Sequence, residues 1–555
     1  LSEFAQRISR PTARPADLSV GRTPPLRAAL LVLQAGAPAV VLAALPYEVF
    51  QLDRYTFIKE LVLAAAATSA VLLCLASVRR LTVYLVDILL AGFLTLTLVS
   101  ALAADNGWLA LRATGVSLAG AGLFWAARTV ARAGRATQLL AALAAAVVVG
   151  AVTGLLQAYG LMDSSLTSLT RAPGGTFGNR NFMAHMVALG LPVLLLVSLE
   201  ARRRRDAVFG TAGVMLAVAA LVLSRSRAAW LGAAASTLFL VVEGLWIGRL
   251  WSDQRLRRRF VLFGGLAVGG LLLALVLPNR LNWRSDSPYL DSLTGVANYK
   301  EGSGRGRLIQ YGNTLGMAAD HPVLGVGPGN WPVHYPSYMS PGDPSFDPDD
   351  IIPTNPWPSS DWVAMLAERG IPASLCLLFA GAAIALGAWA RVRRGGRYAP
   401  DLSDLTIVAT LIAVAVVGAF DAVLLLPAPT LFVWTTVGAL ATSARPVREI
   451  ELTPALRRRL MLGVAIVGGL LVLRGGTQVV AMGLSGGGTR KEMELAAKID
   501  PGSYRIHMLL AQEWRRAGRC DRARPHAERA AALFPNHPAP RALLKACGVR
   551  MKKRR

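Results

Sequence analysis

Acidic side chains are scarce in this sequence. Its 555 residues hold 33 aspartates and glutamates against 59 lysines and arginines, a formal net charge of +26. Charge of either sign is thin at 17%, while 54% of the chain is hydrophobic, and the mean hydropathy is +0.45. That balance excludes an ordinary soluble protein of this size, which needs far more polar surface. Only four cysteines occur, and their spacing matches no metal pattern. No metal and no cofactor is therefore expected. Cys74 and Cys376 lie in apolar runs and read as small core residues, whereas Cys520 and Cys547 fall in a polar tail and pair if that tail is extracytoplasmic. No cleavable signal peptide is legible, since the arginine-rich N-terminus leads straight into an apolar run.

What is present is a series of apolar runs of roughly 18–20 residues, the length that spans a bilayer as helix. The class is an all-α, polytopic membrane protein with about 13 transmembrane helices. The spans are expected near 27–45, 60–78, 83–102, 109–128, 137–158, 182–199, 207–223, 228–247, 260–278, 370–390, 404–425, 429–444 and 460–477. The excess of base argues against a nucleic-acid partner by its placement. The arginines cluster in short loops such as Arg202–Arg205 and Arg255–Arg259, as the positive-inside rule requires. Residues 1–26 then form a cytoplasmic segment and 27–480 the membrane domain. Every strongly basic loop falls inside except Ser224-Arg225-Ser226-Arg227. The polar loops 160–180, 224–227 and 279–368 share the opposite face. Two arginines on the outer face need another explanation, and an anionic ligand supplies one.

The large loop, 279–368, holds the stretch around which the rest is arranged. Arg307 opens a run in which Leu308, Ile309, Tyr311, Leu315 and Met317 recur at helical spacing, ended by His321-Pro322. Gly325-Val-Gly-Pro-Gly-Asn330 follows, a backbone able to turn and to let something approach closely. A fixed cation beside such a turn at a membrane surface fits an anionic head group; a capped surface helix and its turn is the plainer reading. With an odd number of spans the C-terminus is extracytoplasmic. Residues 490–550 are helical and alanine-rich, and Ile499-Asp-Pro501 recurs 34 residues on as Leu533-Phe-Pro535, a tetratricopeptide-like period. One repeat and a part are too few for a free solenoid, so this unit is expected to dock on the membrane domain or a partner protein. The basic end, Met551–Arg555, reads as a solvated tail.

Four outer-face segments resemble the O-antigen ligase and polymerase superfamily. GTFGNRNFMAH is similar to its GTFGNxNFxAH segment, and LSRSRAAWLG to its TxSRGAWL segment. Arg307 through DHPVLGVGPGNW is similar to its arginine-helix and HPLLGVGPGNF segment, and SSDWVAMLAERGIP to its H[NS]DxLxxLAExG segment. The resemblance implies transfer of a glycan from undecaprenyl diphosphate to a lipid or protein acceptor, or to a growing polymer. The resemblance further implies a setting at the periplasmic face of the bacterial inner membrane and a reaction that is inverting and metal-independent. It implies that Arg227 and Arg307 bind the diphosphate, with Arg225 and Arg305 as alternates. Guanidinium forks suit that task, because a departing diphosphate gains charge and arginine stays protonated.

One departure stands out. Where the superfamily carries the histidine that assists acceptor activation, this chain has Ser359, and serine is no base. Asp361, His334 and His185 are the candidates to replace it. Against those roles stand a helix cap for Asp361 and a hydrogen-bonded structural place for each histidine. Asn179 and Asn181 suit sugar or phosphate but equally suit helix caps. Asn330 and Trp331 at the end of the glycine turn, and Trp357 within Pro353–Pro358, are candidates for glycan or acceptor binding, with interfacial anchoring as the alternative. Three function classes follow: a glycan ligase or polymerase, a non-catalytic binder of lipid-linked glycan, and a transporter, for which Asp87 and Asp421 would be the cue.

Overall fold

A computed structural model describes residues 23–162, 171–246, 253–283, 285–295, 298, 300, 302–340, 342–347, 350–394, 402–441 and 446–548. Most of the N-terminal segment, the basic end and parts of the loops at 160–180 and 249–259 lie outside those residues. Most of the described chain is helical, as hydrocarbon demands of a backbone that must satisfy its own N–H and C=O groups.

In chain order the first helices are α1 (Pro24–Leu42), α2 (Asp53–Ser77), α3 (Leu85–Leu102), α4 (Gly107–Val130), α5 (Ala136–Ala158), α6 (Arg180–Glu200), α7 (Arg204–Ser224), α8 (Arg227–Trp246) and α9 (Gln254–Val276). The large loop carries α10 (Pro288–Thr294), α11 (Gly302–Asp320) and the single turn α12 (Trp331–His334). Then come α13 (Asp361–Arg394), α14 (Leu402–Phe420), α15 (Pro427–Leu440) and α16 (Pro454–Gly486), and last the C-terminal helices α17 (Arg490–Ile499), α18 (Tyr504–Arg516), α19 (Cys520–Leu533) and α20 (Pro538–Ala546).

Ten helices among the described residues are long and apolar enough to cross a membrane. The expected count was about 13, and the difference has three sources. Residues 107–158 form one of the ten but break at Ala133 and Gly134, where Gly134 adopts φ +79°, so α4 and α5 are separate helices. The ten leave out α8. They also leave out α15, whose 14 residues rise only about 21 Å, less than a hydrocarbon core. Pro427 starts that helix, and it is buried almost throughout.

The most enclosed of the ten is α6, with 83% of its apolar window buried. Small residues let neighbours approach it and each other closely. A Cβ added at Gly190 would stand 2.1 Å from Val147, and one at Gly438 2.3 Å from the Phe124 carbonyl oxygen. At the basic side, β1 (Arg80–Val83) pairs antiparallel with β2 (Arg448–Glu451), Arg80 opposite Glu451. Two connections that the charge rule assigns to one face are thus hydrogen-bonded together.

The C-terminal helices dock on the membrane domain. Arg474 of α16 pairs with buried Asp500 at 2.7 Å, Asn106 donates to the Leu533 carbonyl at 3.0 Å, and Asn536 donates to the Val333 carbonyl at 3.2 Å. Cys520 and Cys547 form a disulfide with Cα atoms 5.4 Å apart, closing α19 and α20 into one piece.

Candidate functional site

Helix α11 carries Arg305 and Arg307 and is latched from both sides. The Tyr311 hydroxyl lies 2.6 Å from the Ser359 carbonyl and 2.8 Å from that of Ala419, and Gln310 accepts from the Ser359 amide at 2.6 Å. After the helix, Gly325, Gly327 and Gly329 all take positive φ. What approaches this glycine turn is the fold itself: α13 at Gly325, Ala104 at Gly327 and the Leu109 carbonyl at Gly329. Val326 and Gly327 donate to the Ala367 and Glu368 carbonyls at 2.9 Å, and a Cβ at Gly325 would meet the Glu368 backbone at 2.3 Å. The turn therefore serves packing, and the head-group role assigned to it from sequence has no support in this geometry.

The cations are different. Arg305 and Arg307 line a cavity of about 510 Å3 with Ser303, Gln310, Asn355 and Ser359, and no carboxylate lines it among the described residues. Among the described residues neither guanidinium has an acidic partner. The Ser224–Arg227 turn reaches the same end of α11: Arg227 donates to the Gly295 carbonyl and to the Ser303 hydroxyl. Arg225, at the left-handed end of α7, donates to Ser292 at 2.8 Å and stacks on Trp283. Arg180 stacks on that same indole and lies within the fields of Arg171, Arg225 and Arg227. The three polar loops expected on one face thus meet around one set of arginines. Arg180 was not singled out from sequence; it stands between two asparagines that drew attention as caps.

Beside them, α6 and the end of α14 bring together a second group. His185 is fully buried, its Nε2 3.7 Å from Asp421, and both ring nitrogens lack a hydrogen-bond partner among the described residues. Asn181 donates to Asp421 at 3.4 Å, and the charge of Arg307 is felt at the His185 ring. Asp421 is the residue that sequence reasoning placed elsewhere, because its partners lie some 240 positions away. Asp361 accepts from the Val423 and Leu424 amides at 2.8 to 3.1 Å and has no exposed surface. It caps the turn after α14, not the helix it begins.

The other sequence candidates are distributed as follows. Asn179 caps α6 through the Asn181 amide and is itself buried. Asn330 is enclosed, bonded to the Asn106 backbone through both its side-chain atoms, and Trp331 is enclosed with its Nε1 on Thr314 at 3.0 Å. Both hold the large loop together and neither faces the cation cavity. His334 lies 3.3 Å from Asp105 beside His321, and burial outweighs that carboxylate and keeps the ring below its ordinary range. Its contacts are with the Asp105 turn, not with the arginines. Trp357 packs on Phe182, which packs on His185, so it does border the site. Among the described residues no three His, Cys, Asp or Glu side chains are grouped to hold a metal.

Residues 212–378 of the chain match the O-antigen ligase family. The match runs from within α7 to within α13, taking in Arg225, Arg227, Arg305, Arg307 and Asp361 but not His185, Asp421 or the C-terminal helices. No curated protein matches the chain. A glycan-processing membrane protein of ligase or polymerase type, acting on lipid-linked glycan, is the reading this match supports.

Proposed function

We propose that the chain transfers a glycan from undecaprenyl diphosphate to an acceptor hydroxyl at the periplasmic face of the inner membrane. One observation carries this: Arg227 is tied to Gly295 and Ser303, so cations from two separate motifs converge at the start of α11. There the diphosphate would sit against Arg227 and Arg307, with Arg225, Arg305 and Arg180 around it. The acceptor oxygen attacks the anomeric carbon from the opposite face, and the bond to the diphosphate oxygen breaks with inversion. The diphosphate leaves with both bonding electrons, and the arginines neutralise the charge it gains. The acceptor proton goes to a carboxylate. Asp421, held by Asn181 and beside His185, retains exposed surface, whereas Asp361 has none, so Asp421 is the better placed base.

On this reading there are about 13 passes, counting α8 and the short, enclosed α15, from a cytoplasmic N-terminus, and the disulfide supports an oxidising-side position for the C-terminal helices. Those helices are read as a tetratricopeptide-like unit. The acceptor separates a ligase from a polymerase, and the arginines serve either. Ser359 in place of a histidine favours a second reading, a non-catalytic binder of lipid-linked glycan. Incubating purified protein with undecaprenyl diphosphate glycan and acceptor distinguishes them: a transferase releases free undecaprenyl diphosphate over many turnovers, and a binder releases none.

A further inference from the structure

A second cavity, of about 140 Å3, lies where the C-terminal helices close over the membrane domain. By the same measure one water needs about 10–15 Å3, so the space accommodates a group the size of a sugar ring. Its charges balance. Arg112, Arg369, Arg474 and Arg505 line it, and so do Asp53, Glu60, Glu368 and Asp500. The acids pair with the bases: Arg112 with Glu60 at 2.7 Å, Arg474 with Asp500 at 2.7 Å, Arg369 with Glu368 at 3.2 Å and Arg505 with Asp53 at 3.7 Å. The cation cavity beside α11 has no such balance. An anion suits that one, and a neutral ligand suits this one.

Two of the arginines that line it carry buried donors without a partner: the Nε–H groups of Arg369 and Arg474 have no acceptor among the described residues. The two residues are 1% and 9% exposed and come from α13 and α16. A buried unsatisfied donor costs about 1–3 kcal/mol, and such donors on residues that line a polar space suit a ligand with acceptor oxygens. Trp108 and Trp357 supply aromatic wall. The cavity adjoins the site. Asn355 and Ser359 line the cation cavity, while Pro356 and Trp357, between them in sequence, line this one. Leu424, whose amide binds Asp361, lines it too.

We infer that this cavity binds a neutral sugar unit, with the C-terminal helices forming part of its wall through Asp500, Ser503 and Arg505. The segment 355–359 is then a partition, with the diphosphate on one side and the sugar on the other. The choice of sugar over another neutral polyhydroxylated ligand rests on the transfer reading above.

The test uses the full chain in lipid nanodiscs, free of sugar-headed detergent. Galactose, N-acetylglucosamine and lactose are the probes here, by saturation-transfer NMR, and inorganic pyrophosphate is the probe for the cation cavity, by calorimetry. Saturable binding of at least one sugar is expected, weakened tenfold or more in Trp357→Ala and in a substitution of the cavity-lining α16 residue Gln478, Gln478→Ala, and regained in part by Trp357→Tyr. Pyrophosphate binding stays unchanged in Gln478→Ala. If no sugar binds the wild type, the cavity holds ordered water only and the inference falls, as it does if binding survives both alanine variants. Sugar binding without pyrophosphate binding would uphold this inference and defeat the transfer reading; the reverse result would do the opposite.

Discussion

Arg305 and Arg307 stand two residues apart on α11 and line one cavity, yet they should differ in weight. Arg305 is exposed and Arg307 half-buried. A unit charge pair at 4 Å is worth about 1 kcal/mol in bulk water and about 4 kcal/mol at the effective dielectric of a partly enclosed site. Arg305→Ala is therefore expected to slow transfer about fivefold, at roughly 1 kcal/mol. Arg307→Ala should slow it about 10²–10³-fold, the loss typical of one donor aimed at developing charge. Arg307→Lys keeps the charge and loses the fork, and should fall between. Since Arg307 has no acidic partner among the described residues, neither substitution should lower the melting temperature of the purified protein. The assay is the initial rate of release of undecaprenyl diphosphate from a defined glycan donor, with surface glycan on gels as the cellular counterpart. Equal losses at 305 and 307, or near-normal transfer by Arg307→Ala at normal expression, would refute the reasoning.

Three further outcomes are expected. Asp421→Asn keeps the contact to Asn181 and removes the base, so transfer should fall by about 10²–10⁴-fold; Ser359→Ala should fall far less, and the reverse order in the same assay would move the base elsewhere. Reducing the Cys520–Cys547 bridge, which spans 27 residues, should cost the C-terminal helices about 3–4 kcal/mol, read as faster limited proteolysis within 490–548; an unchanged rate would show that docking alone holds them. Acid should loosen the same unit. Burial holds His507 and His537 down to about 4 and lowers His526, and the Nδ1 atoms of His507 and His526 lie 3.1 Å apart. The unfolded chain binds these protons first, so stability is full above about pH 6.5 and is lost as pH falls towards 4. Hydrogen exchange at α18 and α19 should rise across that window, and a flat profile would contradict it.

That the three polar loops belong together was legible because charge placement assigns them to one face, and hydrophobic run length points to helices before any packing is known. The convergence of the Ser224–Arg227 turn with Arg307 was legible from the same logic. What remained hidden depends on contacts between distant segments. Asp421 read only as a cue for a transporter until α6 supplied Asn181 and His185. Asp361 looked like the cap of its own helix, whereas its carboxylate serves a turn some sixty positions on. Asn330 and Trp331 carry side chains suited to a ligand, and the loop's own interior uses them first. Glycine spacing predicted a close approach at 325–329 but not what approaches. The short α15 shows that an apolar run alone does not set helix length, since Pro427 fixes where the helix starts.

The most direct measurement is a structure of the full chain with undecaprenyl diphosphate bound. The account predicts phosphate oxygens within hydrogen-bond distance of Arg227 and Arg307, beside Ser303. Phosphate seated in the charge-balanced cavity under the C-terminal helices, or away from both arginines, would contradict it.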